Sequence, residues 1–282
     1  MRSGPVLVAV DGQPQTQAAV RFAGRVASAL KRPLVLATVH EVEYWRGLEG
    51  PPSVSPSERV HAERVLADAA RLLGEPDAVV RLMAASSAAH GLQELAQELG
   101  AALLVLGRSH HSGIARRLGG TAERLLHGAP CPVVIVPDAP EISSGPVLVG
   151  YDDSAESNAA VDVGVALARS LGAELELCHV SAQMASPEHR DRDRTWIVNM
   201  RAVAQQILDR GASRMPRELA PVTTILEGHP GTELARRAAA CSAPCVVVGS
   251  REYGPLRAVL LGSVTRALLD RASTPVLVVP RP

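Results

Sequence analysis

Short apolar runs rich in Val and Leu alternate along the chain with longer stretches in which apolar residues recur at helical spacing. The runs are continuously apolar and lack the period of two that a half-exposed strand would have. Such strands are typical of a parallel sheet that is covered by helices on both faces. Strand–helix alternation with short connections therefore predicts an α/β fold built on doubly wound parallel sheets.

The predicted elements form two series, each with five strands and four helices. In the first series the strands lie at 5–10, 34–39, 78–83, 102–106 and 133–136, and the helices at 15–30, 57–73, 89–99 and 121–127. In the second series the strands lie at 146–151, 174–180, 221–226, 245–248 and 276–279, and the helices at 155–171, 194–210, 231–240 and 263–271. A ligand of such a sheet is expected at the carboxyl ends of the strands, where the strand order changes direction.

The two series are copies of one domain. The segment Val6–Asp11 is repeated as Val147–Asp152, and Pro132–Pro137 is repeated as Pro275–Pro280. The offset between the copies grows from 141 residues at the first pair to 143 at the second, so very little has been inserted or lost. The repeat predicts a tandem duplication with a first domain over 1–138, a polar linker over 139–146 that contains Pro and Gly, and a second domain over 147–282.

The charge and aromatic content argue against two classes of partner. The 29 Lys and Arg residues balance 29 Asp and Glu residues, so the formal net charge is +0. A general nucleic-acid binder or a protein of anionic membrane surfaces needs a basic excess. Only 2% of the residues are aromatic, too few for a platform on which single-stranded bases stack. We therefore expect neither nucleic acid nor membrane as a partner.

The sequence is that expected of a cytoplasmic protein. It contains no apolar run of the ~18 to 20 residues that cross a bilayer, and the apolar run before Asp11 is too short for a signal peptide. The cysteines are too few for a disulfide scaffold and are interpreted as reduced thiols; they are Cys131, Cys178, Cys241 and Cys245. No metal-ligand spacing accompanies them.

Candidate chemistry lies at the predicted strand ends. Asp11 and Asp152 each follow a first strand, and Gly107 and Gly249 each close a fourth strand. Ser263 stands at the start of the last helix, where a hydroxyl can cap the helix or bind an anion at the positive end of the helix dipole. A turn glycine and a capping serine are also common structural devices, so both interpretations stay open.

These motifs resemble the universal stress protein (UspA-like) family over nearly all of both copies. The resemblance rests on Val149–Ser154, Leu177–Val180, Gly228–Pro230, Val247–Arg251, Leu261–Ser263 and Pro275–Pro280, and on Thr121–Val133 in the first copy. It implies a Rossmann-like fold of the adenine nucleotide alpha-hydrolase type and a role in stress response. It also implies that 133–136 and 276–279 pair about a pseudo-two-fold axis, with a homodimer as a further level of assembly.

The resemblance also implies a nucleotide site in the second copy. ATP-binding members of the family carry G-x2-G-x9-G-[ST] together with an Asp after the first strand and a Val in the second strand. The matching residues here are Asp152, Val180, Gly249, Gly262 and Ser263, and Arg251 and Val264 adjoin them. The second motif glycine is replaced by Glu252, whose carboxylate would repel phosphate if it pointed inward. Arg251 or Arg257 could offset that charge.

The first copy departs further from the motif. Asp11, Val39 and Gly107 match, but His110 replaces the second glycine. Counting forward from Gly107 aligns Gly120 and Thr121 with Gly262 and Ser263, whereas counting back from Pro132 aligns Gly119 and Gly120 with them. The resemblance therefore predicts that the second domain binds ATP or another adenine nucleotide and that the first is degenerate. The alternative is a stress protein that binds no nucleotide and acts through protein–protein interaction.

Nothing in the sequence marks a catalytic centre. It contains no G-x-S-x-G elbow, no phosphate-binding G-x4-G-K-[ST] loop and no H-E-x-x-H helix. We expect no enzyme beyond slow, incidental ATP hydrolysis, and no metal beyond a nucleotide-bound Mg²⁺.

The adjacent pair His110-His111 is interpreted as solvated, whereas His40, His179 and His229 lie near strand ends and either line a cleft or are buried and hydrogen-bonded. Two long connections, Glu41–Pro56 with Trp45 and Ser181–Asp193, are candidate lids or disordered loops.

Overall fold

The computed structural model describes residues 1–42, 55–74, 78–108, 118–138, 140, 144–181, 194–219, 221–250 and 261–281, with side chains from residue 200 onward in the segment that begins at 194. The chain divides into two compact units, Met1–Pro140 and Glu141–Pro282. The predicted linker over 139–146 includes 139 and 141–143, and the two candidate lids include 43–54 and 182–193. All of these segments lie outside the described residues.

The first unit is a parallel five-stranded sheet in the order β3-β2-β1-β4-β5. Its strands are β1 (Val6–Ala9), β2 (Leu34–Glu41), β3 (Val79–Ala85), β4 (Leu103–Gly107) and β5 (Val133–Val136). Its helices are α1 (Thr16–Leu30), α2 (Pro56–Leu73), α3 (Ala88–Glu98) and α4 (Gly120–Gly128). The order reverses beside β1, because β2 follows it on one side and β4 on the other.

The second unit repeats this plan in the order β8-β7-β6-β9-β10. Its strands are β6 (Val147–Gly150), β7 (Leu175–Ser181), β8 (Val222–Glu227), β9 (Val246–Gly249) and β10 (Val276–Val279). Its helices are α5 (Ala155–Leu171), α6 (Arg194–Ser213), α7 (Pro230–Ala240) and α8 (Ser263–Arg271), and a short 3-10 helix spans Arg217–Leu219.

The central strands supply the core of each unit. Leu7, Leu36 and Leu104 are fully buried in the first sheet, and Leu148 and Leu177 in the second. Side chains on both faces of these strands are buried because helices pack on both sides, which explains why the strand sequences lack polar alternation. The prediction of an α/β fold with parallel sheets is confirmed.

The predicted elements and the observed ones differ mainly at their ends. β2 continues through His40 and Glu41, which pair with Ala84 and Ala85 of β3. Backbone hydrogen bonds extend a strand regardless of side-chain polarity, so the polar end of β2 was missed. Helix α6 also runs to Ser213, three residues beyond its predicted end. No helix within the described part of the chain is long and apolar enough to cross a membrane.

Candidate functional site

A cleft of about 660 Å³ opens at the carboxyl edge of the first sheet. Its floor is formed by the ends of β1, β2 and β4, and its walls by residues of α2, α3 and α4. The lining residues with polar side chains are Asp11, Gln15, Thr16, Thr38, His40, Ser57, Glu58, His61 and Thr121. The volume lies within the range of about 300 to 1,000 Å³ that is typical of ligand pockets.

Asp11 lines this cleft, two residues after the end of β1. Its Oδ1 accepts a hydrogen bond from the backbone N–H of Gln13 at 3.0 Å and one from the hydroxyl of Thr16. The left-handed conformation of Gly12, with φ of 76°, turns the chain toward α1. The carboxylate is therefore held in a fixed orientation at the switch point of the sheet.

A histidine–glutamate pair forms the α2 side of the same cleft. His40 Nε2 lies 3.2 Å from Glu58 Oε1. The other carboxylate oxygen, Oε2, accepts from the backbone N–H of Ser55 at 3.0 Å and from the Ser55 hydroxyl. Hydrogen bonds from the Ser55 side chain and backbone, with a smaller contribution from the charge of His40, hold the pKa of Glu58 below its ordinary value. The carboxylate is therefore ionised at neutral pH.

The second unit has a smaller cleft, of about 220 Å³, at the equivalent edge of its sheet. Asp152 stands after β6, and its Oδ1 accepts from the backbone N–H and the hydroxyl of Ser154 at 3.2 and 2.5 Å. Tyr151 and Glu156 also line this cleft, in the places that Val10 and Gln15 occupy in the first unit. A larger side chain at the position of Val10 and a carboxylate at the position of Gln15 therefore distinguish it from the first cleft.

Hydrogen bonds connect Tyr151 to His179 and to residues that follow Tyr151 in the chain. His179 Nδ1 donates to the backbone carbonyl of Tyr151 at 2.9 Å, so this histidine both lines the cleft and is hydrogen-bonded. The Tyr151 hydroxyl lies 3.0 Å from Asp153 Oδ1 and 2.9 Å from Asn158 Oδ1. Burial, together with the hydrogen bond to Asp153 and the charge of that residue, raises the pKa of Tyr151 to about 12.

The strand-end glycines allow a helix to pass close by. A Cβ added to Gly249 would lie 2.5 Å from the carbonyl carbon of Glu156, at the start of α5. A Cβ added to Gly107 would lie 3.0 Å from the carbonyl oxygen of Gln15, just before α1. The close helix approach accounts for both glycines without a ligand.

Comparison with known proteins places this fold in one group. The model of the universal stress protein family matches residues 3–137 and again residues 144–280. The chain belongs to the universal stress protein family. A universal stress protein of Mycobacterium tuberculosis is 30% identical over 290 residues, covering 97% of this chain and 95% of that protein. A universal stress protein of Mycobacterium bovis is 29% identical over 288 residues, covering 97% and 96%.

Solved structures of universal stress proteins share the fold. The crystal structure of one from Archaeoglobus fulgidus aligns over 100% of both chains with a TM-score of 0.70 and 18% sequence identity. The resemblance expected from the strand-end motifs is thereby confirmed at the level of family and fold.

The structure brings most of the residues predicted from the universal stress protein motif to the clefts. In the second unit Asp152, Val180, Gly249, Gly262 and Val264 line the cleft. Ser263 is the first residue of α8 and is not among the described lining residues, and Arg251 lies outside the described residues. In the first unit Asp11, Val39, Gly107 and Thr121 line the cleft, whereas Gly120 only begins α4.

The last helices settle how the two copies align. Gly119 and Gly262 are the N-caps of α4 and α8, with φ and ψ of −65° and 151° in the first and −57° and 146° in the second. Both helices are nine residues long. Gly120 therefore corresponds to Ser263, and Thr121 to Val264. The first unit has no hydroxyl at the position of Ser263 and carries one at the next residue.

Several residues of the motif loops lie outside the described residues. These are His110, His111, Arg116 and Arg117 in the first copy, and Arg251, Glu252 and Arg257 in the second. Among the residues that the structure does describe, no group of three His, Cys, Asp or Glu side chains is arranged to hold a metal ion.

Sequence reasoning missed Glu58 and His61 as cleft residues. Ser55 and Glu58 have the S-x-x-E spacing of a capping box, and His61 follows one helical turn later. That spacing locates the start of α2 but does not indicate which face of the helix meets the sheet edge. Only the packing of α2 beside β2 brings Glu58 to His40.

Proposed function

We propose that this universal stress protein binds an adenine nucleotide, with ATP as the first candidate, in the cleft of the first unit. The observation that supports this most directly is the size of that cleft, about 660 Å³ at the switch point of a doubly wound sheet. Family membership adds to it, because the ATP-binding motif residues Asp11, Val39 and Gly107 line the same cleft.

The first cleft offers a suitable environment for each part of a nucleotide. The start of α4 has backbone N–H groups without intrahelical partners, which suit phosphate oxygens. Asp11 at the end of β1 is an acceptor for ribose hydroxyls. Val39, Ala62 and Leu92 supply apolar surface for a base.

The second cleft is proposed as the weaker site, although the sequence favoured it because of Ser263. Its volume of about 220 Å³ falls below the usual range of ligand pockets. Asp152 and Glu156 place two carboxylates in this smaller space, and Glu156 is only 14% exposed. The ion pair that Glu156 forms with Arg281 is long, with 3.7 Å between Arg281 Nε and Glu156 Oε1.

We propose a role in holding or sensing the nucleotide rather than in its turnover. Asp11 in the first cleft already accepts hydrogen bonds from Gln13 and Thr16, which fix it as an orienting group. Any Mg²⁺ would arrive with the phosphates of the nucleotide.

The first test is to denature freshly purified protein and quantify the released nucleotides by chromatography. Isothermal titration of the stripped protein with ATP then gives the affinity. We expect about one adenine nucleotide per chain, as one cleft of adequate volume predicts. A protein that releases none and gives no binding heat with ATP would contradict the proposal and favour a role in protein–protein interaction.

Matched substitutions distinguish the two clefts. Thr121→Asp and Val264→Asp add the same carboxylate at equivalent lining positions, the second residues of α4 and α8. An acidic residue in the first turn is compatible with either helix. We expect Thr121→Asp to weaken ATP binding about tenfold or more by charge repulsion, and Val264→Asp to change it little. The opposite pattern would assign the nucleotide to the second unit.

A further inference from the structure

The two clefts differ in the chemistry of one wall. In the first unit α2 lines the cleft with Glu58 and His61. The burial pattern of α6 follows that of α2, with Ala204 and Leu208 in the places of Ala62 and Leu66. The same alignment puts Met200 and Val203 of α6 in the places of Glu58 and His61. At these two positions of the described residues, the ionisable side chains of the first unit are therefore replaced by apolar ones in the second.

Glu58 is held so that one of its oxygens is directed to the cleft side. Ser55 engages Oε2 through its backbone N–H and its hydroxyl, in the capping box that begins α2. Oε1 remains beside His40, 3.2 Å from Nε2, and both side chains line the cleft. A carboxylate oxygen has two lone pairs, so Oε1 can accept a second hydrogen bond from a ligand.

An ionised carboxylate accepts hydrogen bonds and donates none. A ligand atom that meets Oε1 of Glu58 is therefore favoured if it carries a hydrogen and disfavoured if it is a carbonyl oxygen. The side chain of Glu58 is 46% exposed, so water can compensate part of any mismatch. The resulting discrimination is expected to be moderate rather than absolute.

The position of the pair assigns it to the base of a bound nucleotide. The strand order places β1 between β2 and β4, so about 10 Å separates the strand that carries His40 from the strand that leads toward α4. If the phosphates bind at the start of α4 and the ribose binds at Asp11, the base lies on the side of the cleft that β2 and α2 form. His40 and Glu58 lie at that end of the cleft.

We propose that the His40–Glu58 pair is a specificity-determining element that accepts a hydrogen bond from the exocyclic amine of a 6-aminopurine and disfavours a 6-oxopurine. The proposal rests on the proposed nucleotide site in the first unit. It adds a contact from α2 that lies outside the glycine motif, and at the equivalent described position of the second unit Met200 stands in the place of Glu58.

The test compares ATP with ITP, in which a 6-oxo acceptor replaces the 6-amino donor and N1 carries a hydrogen. Affinities are measured by isothermal titration on the Val264→Asp background, so that the second cleft does not contribute. We expect ATP to bind about tenfold more tightly than ITP, the scale of one hydrogen bond to a charged group. Glu58→Gln should bring the ratio close to one, because an amide can donate as well as accept.

Glu58→Gln is a suitable variant because glutamine also completes a capping box, so the start of α2 is retained. Glu94→Gln is the matched control. His90 Nε2 lies 3.2 Å from Glu94 Oε1, the same separation as in the His40–Glu58 pair, but both side chains are exposed on α3 and neither lines the cleft. This control should keep the ATP-to-ITP ratio of the parent.

Equal binding of ATP and ITP by the parent protein would overturn the specificity inference while leaving nucleotide binding intact. A ratio that is unchanged in Glu58→Gln, or lost equally in Glu94→Gln, would also overturn it. The absence of binding by either nucleotide would instead refute the proposed function, and the specificity inference with it.

Discussion

Arg237 and Glu176 form a two-point ion pair inside the second unit. Arg237 Nε lies 2.8 Å from Glu176 Oε1, and Arg237 Nη2 lies 2.9 Å from Glu176 Oε2. Thr224 donates a further hydrogen bond to Oε1 at 2.6 Å, and Glu176 is only 1% exposed. The pair joins β7 to α7 in a position where the first unit is apolar, with Val35 on β2 and Leu95 on α3.

Breaking this pair should destabilise the second unit, whereas replacing both partners should not. Arg237→Met leaves a buried carboxylate without its counterion and is expected to lower the free energy of unfolding by about 3 kcal/mol. The double variant Glu176→Val, Arg237→Leu restores the residues of the first unit and should be neutral or stabilising. Urea denaturation measures both. A double variant as unstable as Arg237→Met would contradict the interpretation.

The same pair should make stability depend on acid pH. Burial raises the pKa of Glu176, but hydrogen bonds from Arg237 and Thr224 and the charge of Arg237 outweigh it and bring the pKa below its ordinary value of 4.5. A depressed folded-state pKa contributes stability above the ordinary value, and this contribution is lost as the pH falls through the folded-state pKa. Wild type should therefore lose more stability than Glu176→Val, Arg237→Leu between about pH 5 and pH 3. Urea denaturation at each pH measures the free energy of unfolding of both proteins. Equal losses in the two would show that the Glu176–Arg237 pair is not the cause of the acid sensitivity.

Gly211 in α6 should be coupled to Tyr151. A Cβ at Gly211 would lie 2.6 Å from Leu177 Cδ2 and 2.7 Å from Tyr151 Cε1, so Gly211→Ala should destabilise by about 1 to 3 kcal/mol despite the better helix propensity of alanine. In the first unit Val10 and Ala69 occupy these two positions. Gly211→Ala should therefore be clearly less destabilising in a Tyr151→Val background, where only the contact with Leu177 remains.

A double-mutant cycle from chemical denaturation measures this coupling between Gly211 and Tyr151. Additive effects of the two substitutions would mean that the cost of Gly211→Ala does not come from the Tyr151 ring.

Gly249 should contribute to the stability of the fold even without a ligand. A Cβ there would lie 2.5 Å from backbone of α5, so Gly249→Ala is expected to cost about 2 kcal/mol or more. Gly120→Ala is the control, because a Cβ at Gly120 meets nothing within 4 Å and Gly120 is the first residue of α4. It should be neutral or slightly stabilising. Thermal unfolding of nucleotide-free protein compares them, and an equally mild effect at Gly249 would point back to a ligand role for this glycine.

Much of the fold could be predicted from local patterns. The Val-rich runs such as 133–136 and 276–279 lie at the predicted positions, because the burial of both faces of a parallel strand is recorded in each strand's own sequence. Gly107 and Gly249 were also predicted to close the fourth strands, but they were interpreted as turn residues or as members of a nucleotide-binding motif. The close approach of a helix backbone became visible only with the structure.

The sequence by itself determined the duplication, the α/β fold and the family, because periodic burial and repeated strand-end motifs are properties of short segments. Tertiary structure alone decided which distant residues meet. Arg237 and Glu176 are 61 positions apart, and His40 reaches Glu58 only because α2 packs beside β2. The relative volumes of the two clefts were likewise decided by packing, since a cavity depends on how several elements fill space together.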